Sequence, residues 1–159
     1  MDVADPESLM RVAIAEARQA IAAGQTPFGC AIALGGRVVA AAHNAVWATI
    51  DITAHAEINA LRQACAATGQ VHLPGAIVAT TCEPCPMCMS ALHWARVETV
   101  YYGAAIADAT AAGFNELHLP AAELLRLGQS PVKLIPGILP DECRQLFSAW
   151  RNTGHAREY

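Results

Sequence analysis

The sequence predicts an α/β fold, a three-layer α/β/α sandwich with a central mixed five-stranded sheet. Three observations indicate it. Short apolar runs of strand length alternate along the chain with longer segments of helical periodicity. Two of these runs flank Gly35-Gly36, as in an antiparallel hairpin. Two later runs enclose a helical segment, and a strand-helix-strand unit places its strands in parallel with a right-handed crossover. The 159 residues fit one domain.

The first elements are a helix and a hairpin. Asp5-Pro6-Glu7 combines an N-cap residue, a first-turn proline and a first-turn acid, and apolar residues then recur at helical spacing as far as Gly24. Residues 28–34 and 38–42 are the strands on either side of Gly35-Gly36, where glycine allows the positive φ angles of a tight turn. We therefore expect a helix followed by two antiparallel strands.

A second helix carries the first part of a chemical motif. Residues 54–67 are rich in alanine and leucine and end before Gly69, and Thr53 is the expected N-cap. His55 and Glu57 should therefore lie in the first turn of this helix.

A third helix carries the second part of the motif. Residues 76–81 predict a buried strand, residues 84–95 begin a helix, and residues 97–102 predict the next strand, parallel to the first. Cys85 and Cys88 are three residues apart and so share one face of the helix. The first turn of this helix is expected to face the first turn of the helix before it.

The C-terminal third supplies the remaining elements. We expect a helix within residues 117–128, a short strand at residues 132–135 and a last helix at residues 140–151. Residues 152–159 are polar, and composition alone predicts that they form a frayed end.

Composition argues against several classes of protein. The formal net charge is −4 without a run of Lys or Arg, which argues against binding long nucleic acid through its phosphates. No apolar stretch approaches the ~20 residues of a membrane span, and the acidic start of the chain lacks the features of a secretory signal. Because 54% of residues are hydrophobic and 15% charged, we expect apolar surface to be buried between subunits. The chain should be a cytoplasmic oligomer that acts on a small molecule.

The six cysteines are not spaced as a disulfide framework. Cys82, Cys85 and Cys88 fall within seven residues, which metal binding in a reducing compartment explains better than disulfide bonds. The other three are expected to be ordinary thiols: Cys30, Cys65 and Cys143.

His55-Ala56-Glu57 and Pro84-Cys85-Pro86-Met87-Cys88 together supply three metal ligands and one unligated carboxylate. Catalytic zinc takes three protein ligands and keeps a fourth position for water, whereas structural zinc takes four protein ligands. Zinc lowers the pKa of such a water towards about 7. Glu57 is placed to take the proton, to pass it to a ring nitrogen, and to protonate the departing ammonia after hydroxide attacks the amino-bearing carbon. The two motifs predict a hydrolytic zinc deaminase.

A zinc-stabilised interaction domain without catalytic activity is the alternative from a different class. A closed structural site would need a fourth ligand, and Cys82 is the nearby candidate. Its place at a strand end is more typical of a buried thiol. Replacement of Glu57 would leave such a domain functional, whereas it would stop an enzyme.

The chain resembles the cytidine deaminase superfamily, and more closely its guanine deaminase branch, over nearly its whole length. The matching segments are Thr26-Pro27-Phe28-Gly29, Thr53-Ala54-His55-Ala56-Glu57, Cys82-Glu83-Pro84-Cys85-Pro86-Met87-Cys88, Trp94-Ala95-Arg96, Ala112-Gly113-Phe114, Ala149-Trp150-Arg151-Asn152 and Glu158-Tyr159. The zinc motif is common to the superfamily, and the two C-terminal segments point to the branch. The resemblance implies a cytidine deaminase-like fold and a homodimer that binds a small purine base.

The resemblance also implies roles for single residues. It makes His55, Cys85 and Cys88 the ligands of one zinc ion per subunit, and Glu57 the catalytic proton shuttle. Three further residues would contact the purine: Asn44 by hydrogen bonds, Phe28 by stacking, and Trp94 as a wall of the pocket.

The resemblance also implies that Glu116 is a catalytic-site residue and that it binds the substrate. In guanine deaminases an acidic side chain after the Gly-Phe turn reads the N–H groups of guanine, and Glu116 stands there where some members have Asp. A carboxylate suits the adjacent N1–H and amino donors of guanine, which it can bind through both oxygens. Because Glu is one methylene longer than Asp, we expect the pocket to admit other amino-triazines or substituted guanines as well.

Residues 140–159 are implied to be a helix and arm exchanged between the subunits of a dimer. In that arrangement Tyr159 closes the active site of the partner. Leu146, Phe147 and Trp150 would anchor the helix.

The expected reaction is hydrolysis of guanine to xanthine and ammonia. The alternatives are deamination of another amino-heterocycle, such as cytosine, a nucleoside or ammeline, and deamination of adenosine in tRNA. A tRNA adenosine deaminase would share the fold, the ligands and Glu57, but it predicts a basic surface that a net charge of −4 does not provide.

Overall fold

The computed structural model describes residues 5–159. Residues 1–4 lie outside the described part. They begin the acidic N-terminal segment whose composition argues against a secretory signal. The strands are β1 (Gly29–Leu34), β2 (Arg37–His43), β3 (Ile77–Cys82), β4 (Thr99–Ala104) and β5 (Lys133–Pro136). The helices are α1 (Pro6–Ala22), α2 (Val46–Thr49), α3 (Ala56–Thr68), α4 (Pro86–Trp94), α5 (Ile106–Ala111), α6 (Ala121–Leu127) and α7 (Pro140–Arg151).

The strands form one mixed sheet in the order β2-β1-β3-β4-β5. β1 runs antiparallel to β2 and to β3, whereas β4 runs parallel to β3 and to β5. Gly35 and Gly36 have φ angles of 58° and 77°, the paired positive values of a tight hairpin turn between β1 and β2. The predicted five-stranded mixed sheet, the hairpin and the parallel β3–β4 pair are confirmed.

Helices cover both faces of the sheet. On one face α3, α4 and α6 pack on Ile32, Val78 and Val100. On the other face α1, α5 and α7 pack on small sheet residues such as Ala31 and Ala79. Alternate side chains of each strand point to opposite faces, which is why neighbours such as Val78 and Ala79 enter different cores. The predicted α/β/α sandwich is confirmed.

Helix α1 lies close against the sheet because β1 begins with a glycine. A Cβ atom on Gly29 would overlap the backbone carbonyl of Ala13 in α1. The start of β1 lies beside the end of β3, which leads into α4, so Gly29 is at the end of the sheet that carries the candidate site.

One local prediction is corrected, and the structure adds detail in two other places. The N-cap of α3 is His55 and not Thr53, because both the amide and the hydroxyl of Thr53 donate to Asp51. The helix predicted within residues 117–128 is present as α6. It begins at Ala121, after the N-cap Pro120, because helical backbone is disfavoured for the residue before a proline. Helices α2 and α5 were not expected, because four and six residues are too few to show a helical period.

The last helix lies where the sequence predicts it, at Pro140–Arg151. Its inward face contains Leu146, Phe147 and Trp150, all buried in the core between α7 and the sheet. Within residues 5–159, no helix combines the length and the apolar character that crossing a membrane requires.

Candidate active site

Two helix N-termini bring the candidate metal ligands together. His55 is the N-cap of α3, Cys85 is the N-cap of α4, and Cys88 lies in the first turn of α4. Nδ1 of His55 is 3.7 Å from Sγ of Cys85 and 3.5 Å from Sγ of Cys88. The three ligand atoms all lie within 4.8 Å of one another. The facing first turns predicted from the sequence are thus present.

This donor set fits zinc. Tetrahedral zinc bonds sulfur at about 2.3 Å and nitrogen at about 2.0 Å, which places neighbouring nitrogen and sulfur ligands roughly 3.5 Å apart. The separations of 3.5 and 3.7 Å around His55 agree with that value. Cys82 is buried but lies outside the group, and its thiol approaches the carbonyl oxygen of Ala105 at 3.6 Å. Three protein ligands leave the fourth position for water, as in a catalytic site.

The thiols and the imidazole influence one another. The hydrogen bond from Cys88 and the neighbouring His55 lower the pKa of Cys85 to about 4. The same shared proton, together with burial, raises the pKa of Cys88. Burial alone would lower the pKa of His55, but its contact with Cys85 and the charge of Glu57 raise it. The thiolate form of Cys85 is therefore favoured before a metal binds, and the start of α4, where it lies, also favours negative charge.

Glu57 lies in the first turn of α3 but is not part of the ligand group. Its carboxyl is buried, and the hydroxyl of Thr80 on β3 donates a 3.1 Å hydrogen bond to Oε1. Burial and the nearby Cys85 thiolate raise the pKa of Glu57. A carboxyl whose pKa is raised towards neutrality is suited to accept and return a proton.

A cavity of about 270 Å³ opens beside the ligands, with walls that include His55, Cys85, Phe114, Glu116 and Tyr159. A narrower recess behind it is lined by Phe28, Asn44, Glu57 and Glu116, among others. Burial, followed by the Cys85 thiolate, raises the pKa of Glu116 to about 7. Glu116 therefore faces the same space as the ligands and the candidate proton shuttle.

Asn44 and Tyr159 close the recess. The side chain of Asn44 is fully buried, and its Nδ2 donates a 2.6 Å hydrogen bond to the Tyr159 hydroxyl. Its Oδ1 accepts from the amide of Val46 at 3.1 Å. Burial raises the pKa of Tyr159, so the phenol stays neutral and can accept this bond. In the single chain described here, Tyr159 and the recess that it closes belong to the same chain.

Trp47 holds the residues just before Tyr159 against the rest of the protein through two non-covalent contacts. The indole N–H of Trp47 donates to the carbonyl oxygen of Arg157 at 2.9 Å. The guanidinium of Arg157 lies 3.5 Å from the centre of the Trp47 ring. The frayed end predicted from composition is therefore an arm with defined contacts.

An aromatic group supports the recess from behind. The rings of Phe28 and Phe114 meet edge to face with centres 4.9 Å apart, and Phe147 lies 5.8 Å from Phe28. Phe114 stacks on Trp150 at 5.2 Å and meets Tyr159 at 5.6 Å. Phe28 thus both packs in the core and lines the recess.

The zinc-binding motif and its surroundings also match a known family. Residues 3–104 match the family model described as the cytidine and deoxycytidylate deaminase zinc-binding region. The chain belongs to the cytidine and deoxycytidylate deaminase family. It is therefore a zinc-binding deaminase of the class that hydrolyses C–N bonds, in agreement with the three-ligand site.

Similar proteins include both purine-base and tRNA deaminases. A guanine deaminase of Bacillus subtilis is 38% identical over 160 residues, which cover 96% of this chain and 98% of the relative. A tRNA-specific adenosine deaminase of Agrobacterium fabrum is 44% identical over 102 residues, covering 64% and 67%. The structure of a guanine deaminase from Nitrosomonas europaea superposes with a TM-score of 0.87 at 29% identity, covering 96% of this chain and 87% of that one.

Trp94 is not brought into the active site of this deaminase. It is the last residue of α4, nine positions after Cys85, which corresponds to a rise of about 13 Å along the helix. Its side chain is 76% exposed and lines a groove between α4 and α6. The expectation that Trp94 lines the substrate pocket is not met within a single chain.

Two residues of the deaminase site were not expected from the sequence. Thr80 donates a hydrogen bond to Glu57. The sequence feature that could have indicated it is its position on a predicted strand, two residues before Cys82. Phe114 lines the cavity and contacts four aromatic residues, although the sequence showed it only as part of a matching segment.

Proposed function

We propose that this deaminase hydrolyses guanine to xanthine and ammonia. The observation that carries the proposal is the position of Glu116, whose carboxyl faces the cavity next to His55 and Cys85. Guanine presents two adjacent donors, N1–H and the amino group, and one carboxylate can accept from both. The amino-bearing carbon would then lie on the side of the ligand group.

The metal would be held by His55, Cys85 and Cys88, one zinc ion per subunit. When bound, zinc lowers the pKa of a water molecule and polarises it for attack. The chain itself provides two sulfur ligands at the start of α4 and the imidazole of His55 at the start of α3, and it keeps the Glu57 carboxyl out of the ligand group.

Glu57 would act as the catalytic proton shuttle. Thr80 holds Oε1, which leaves the second carboxyl oxygen to exchange protons with water and substrate. Guanine and one water give xanthine and ammonia, so one proton must pass from the water to the ring and the leaving nitrogen must be protonated. A buried carboxyl with a raised pKa can carry out both transfers.

The remaining predicted residues would orient the base. Asn44 would turn its Nδ2 from Tyr159 to the purine, and its Oδ1 would keep the amide of Val46. Phe28 would offer a ring edge or face to the purine, supported by Phe114. Tyr159 would exclude water once the base is in place.

A tRNA adenosine deaminase remains the second candidate, because relatives of that kind are also similar. Two features favour a free base. The net charge of −4 is unfavourable for binding the phosphates of an anticodon arm, and a cavity of about 270 Å³ is small for a ligand pocket. The longer side chain of Glu116 would also allow amino-triazines or substituted guanines to bind.

We further propose that residues 1–159 form one cytoplasmic deaminase domain that assembles as a homodimer. Exposed apolar side chains, including Trp94 and Leu127, support an interface between copies. Residues 140–159 could then be exchanged so that Tyr159 enters the site of the partner. Light scattering on the purified protein measures the dimer, and a hybrid of a Tyr159→Ala chain with a Glu57→Gln chain measures exchange, since only exchange restores a complete site.

An ammonia-release screen tests the proposed reaction. Zinc-replete protein is offered guanine, guanosine, adenine, cytosine, cytidine and ammeline. We expect guanine to be the preferred substrate, with ammeline the next candidate. Release of ammonia from cytosine or cytidine but not from guanine would overturn the proposal.

A further inference from the structure

Glu83 lies between β3 and α4, two residues before the ligand Cys85, and its side chain is half-buried. Its two carboxyl oxygens accept hydrogen bonds from the first residues of two different helices. Oε2 accepts from the amide of Ile106 in α5 at 3.0 Å, and Oε1 accepts from the amide of Ala121 in α6 at 2.9 Å. One side chain thus joins the beginnings of α5 and α6.

The chain between these two contacts carries Glu116. Residues 106–121, here called the Glu116 segment, leave the sheet after β4 and return to begin α6. The backbone amide of Glu83 also donates to the carbonyl oxygen of Ala104 at 2.7 Å, at the end of β4. Glu83 therefore connects both ends of the Glu116 segment to the loop that supplies Cys85.

The Glu116 side chain depends on its backbone for position. In the part of the chain from residue 5 onward, burial and neighbouring charges act on its carboxyl, and no hydrogen bond holds it. Within the segment, Phe114 is buried in the aromatic group, and the guanidinium of Arg151 donates to the carbonyl oxygen of Ala111 at 3.2 Å. These contacts hold the middle of the segment, and Glu83 holds its two ends.

We propose that Glu83 is a positioning residue, which sets the location of the Glu116 carboxylate relative to the zinc ligands by holding both ends of the Glu116 segment. The inference rests on the proposed function, in which Glu116 reads the substrate. A carboxylate is needed at residue 83 because each of its oxygens accepts a bond from a different amide. A glutamine could satisfy one amide but would turn an N–H₂ group towards the other.

Glu83→Gln is the test variant, and Glu98→Gln is the matched control. Glu98 is an exposed acid just before β4 that pairs at 3.6 Å with Lys133, the first residue of β5, so its change removes a carboxylate away from the site. We expect Glu83→Gln to keep the zinc content of the wild type and to lower kcat/KM for guanine about tenfold, mainly through KM. The control should stay within about twofold of wild type.

A double-mutant cycle separates positioning from general structural support. In a Glu116→Gln background, the reading carboxylate is already absent, so Glu83→Gln should lower kcat/KM by less than about twofold. Equal losses in the two backgrounds would overturn the proposal, because they would mean that Glu83 acts independently of Glu116.

Hydrogen exchange provides a measurement without substrate. Glu83→Gln should speed amide exchange within residues 106–121 and leave α1 and α3 unchanged. If the wild-type protein does not act on guanine, the proposed function fails, and the exchange data alone then decide the role of Glu83. Faster exchange confined to the Glu116 segment supports it, and unchanged exchange there overturns it.

Discussion

The hydroxyl of Thr80 donates a 3.1 Å hydrogen bond to Oε1 of Glu57. Both side chains are buried, and they come from different layers, since Thr80 is on β3 and Glu57 is in α3. The sheet therefore fixes one oxygen of the candidate proton shuttle while the other remains available for chemistry. This contact connects the central sheet directly to the candidate proton shuttle.

Replacement of Thr80 by Val should slow turnover without weakening substrate binding. Valine keeps the shape and removes the donor, so Glu57 keeps its burial but loses its orientation. We expect kcat for guanine to fall about tenfold, equivalent to ~1.4 kcal/mol, with KM within about twofold. Thr80→Ser restores the donor and should recover most of the rate. Steady-state kinetics on the three proteins measure this, and an unchanged kcat in Thr80→Val would show that the contact does not matter for catalysis.

Replacement of Glu57 by Gln should abolish activity while zinc stays bound. The amide cannot exchange protons, but the ligands His55, Cys85 and Cys88 remain intact. We expect a loss of about 10² to 10⁴ in kcat, with one zinc per chain by metal analysis. His55→Ala is the comparison, and it should lose both zinc and activity. Full turnover by Glu57→Gln would contradict the role of Glu57 as the proton shuttle, whereas wild-type protein that binds zinc but releases no ammonia would favour the interaction-domain alternative.

Guanine binding should weaken as the pH falls through about 7. Burial raises the pKa of Glu116 to about 7, above the ordinary range of a glutamate. The carboxylate form accepts from guanine and is present above that pKa, whereas protonation below it removes one acceptor. We expect KM to rise about tenfold from pH 8 to pH 6.

The control for this pH dependence is Glu116→Gln, which cannot titrate. Its KM should be higher than that of wild type at pH 8 and nearly constant down to pH 6. A wild-type KM that is flat over the same range would mean that Glu116 does not read the base in its charged form.

Deletion of residues 157–159 should impair the enzyme. It removes Tyr159 from Asn44 and Arg157 from Trp47, so the recess opens to water. We expect at least a tenfold loss in kcat/KM for guanine, with little change in thermal unfolding. His155→Ala alters an exposed part of the same arm and should remain active. Equal activities of the deletion variant and the wild type would show that residues 157–159 do not contribute to catalysis.

The sequence was sufficient to predict the metal centre. His55, Cys85 and Cys88 belong to two short motifs at helix starts, and the spacing within each motif places its ligands in the first turn of a helix. The sandwich and its sheet followed from strand-length runs and the Gly35-Gly36 turn.

The remaining features depend on distant contacts. Asn44 and Tyr159 are 115 residues apart in sequence, and only the fold brings the amide to the phenol. Thr80 looks like any strand threonine until α3 is packed against the sheet. For Trp94, the match to a family segment did not reveal that the short helix α4 carries the indole away from the ligand end.

The central claim is that the active site binds and deaminates free guanine. Zinc-loaded protein can be given guanine and, in a parallel assay, a tRNA anticodon stem-loop that contains adenosine at the wobble position, with xanthine and inosine formation followed under the same conditions. We predict that kcat/KM for guanine exceeds that for the RNA by at least about 100-fold. Efficient inosine formation with no xanthine formed would contradict the account.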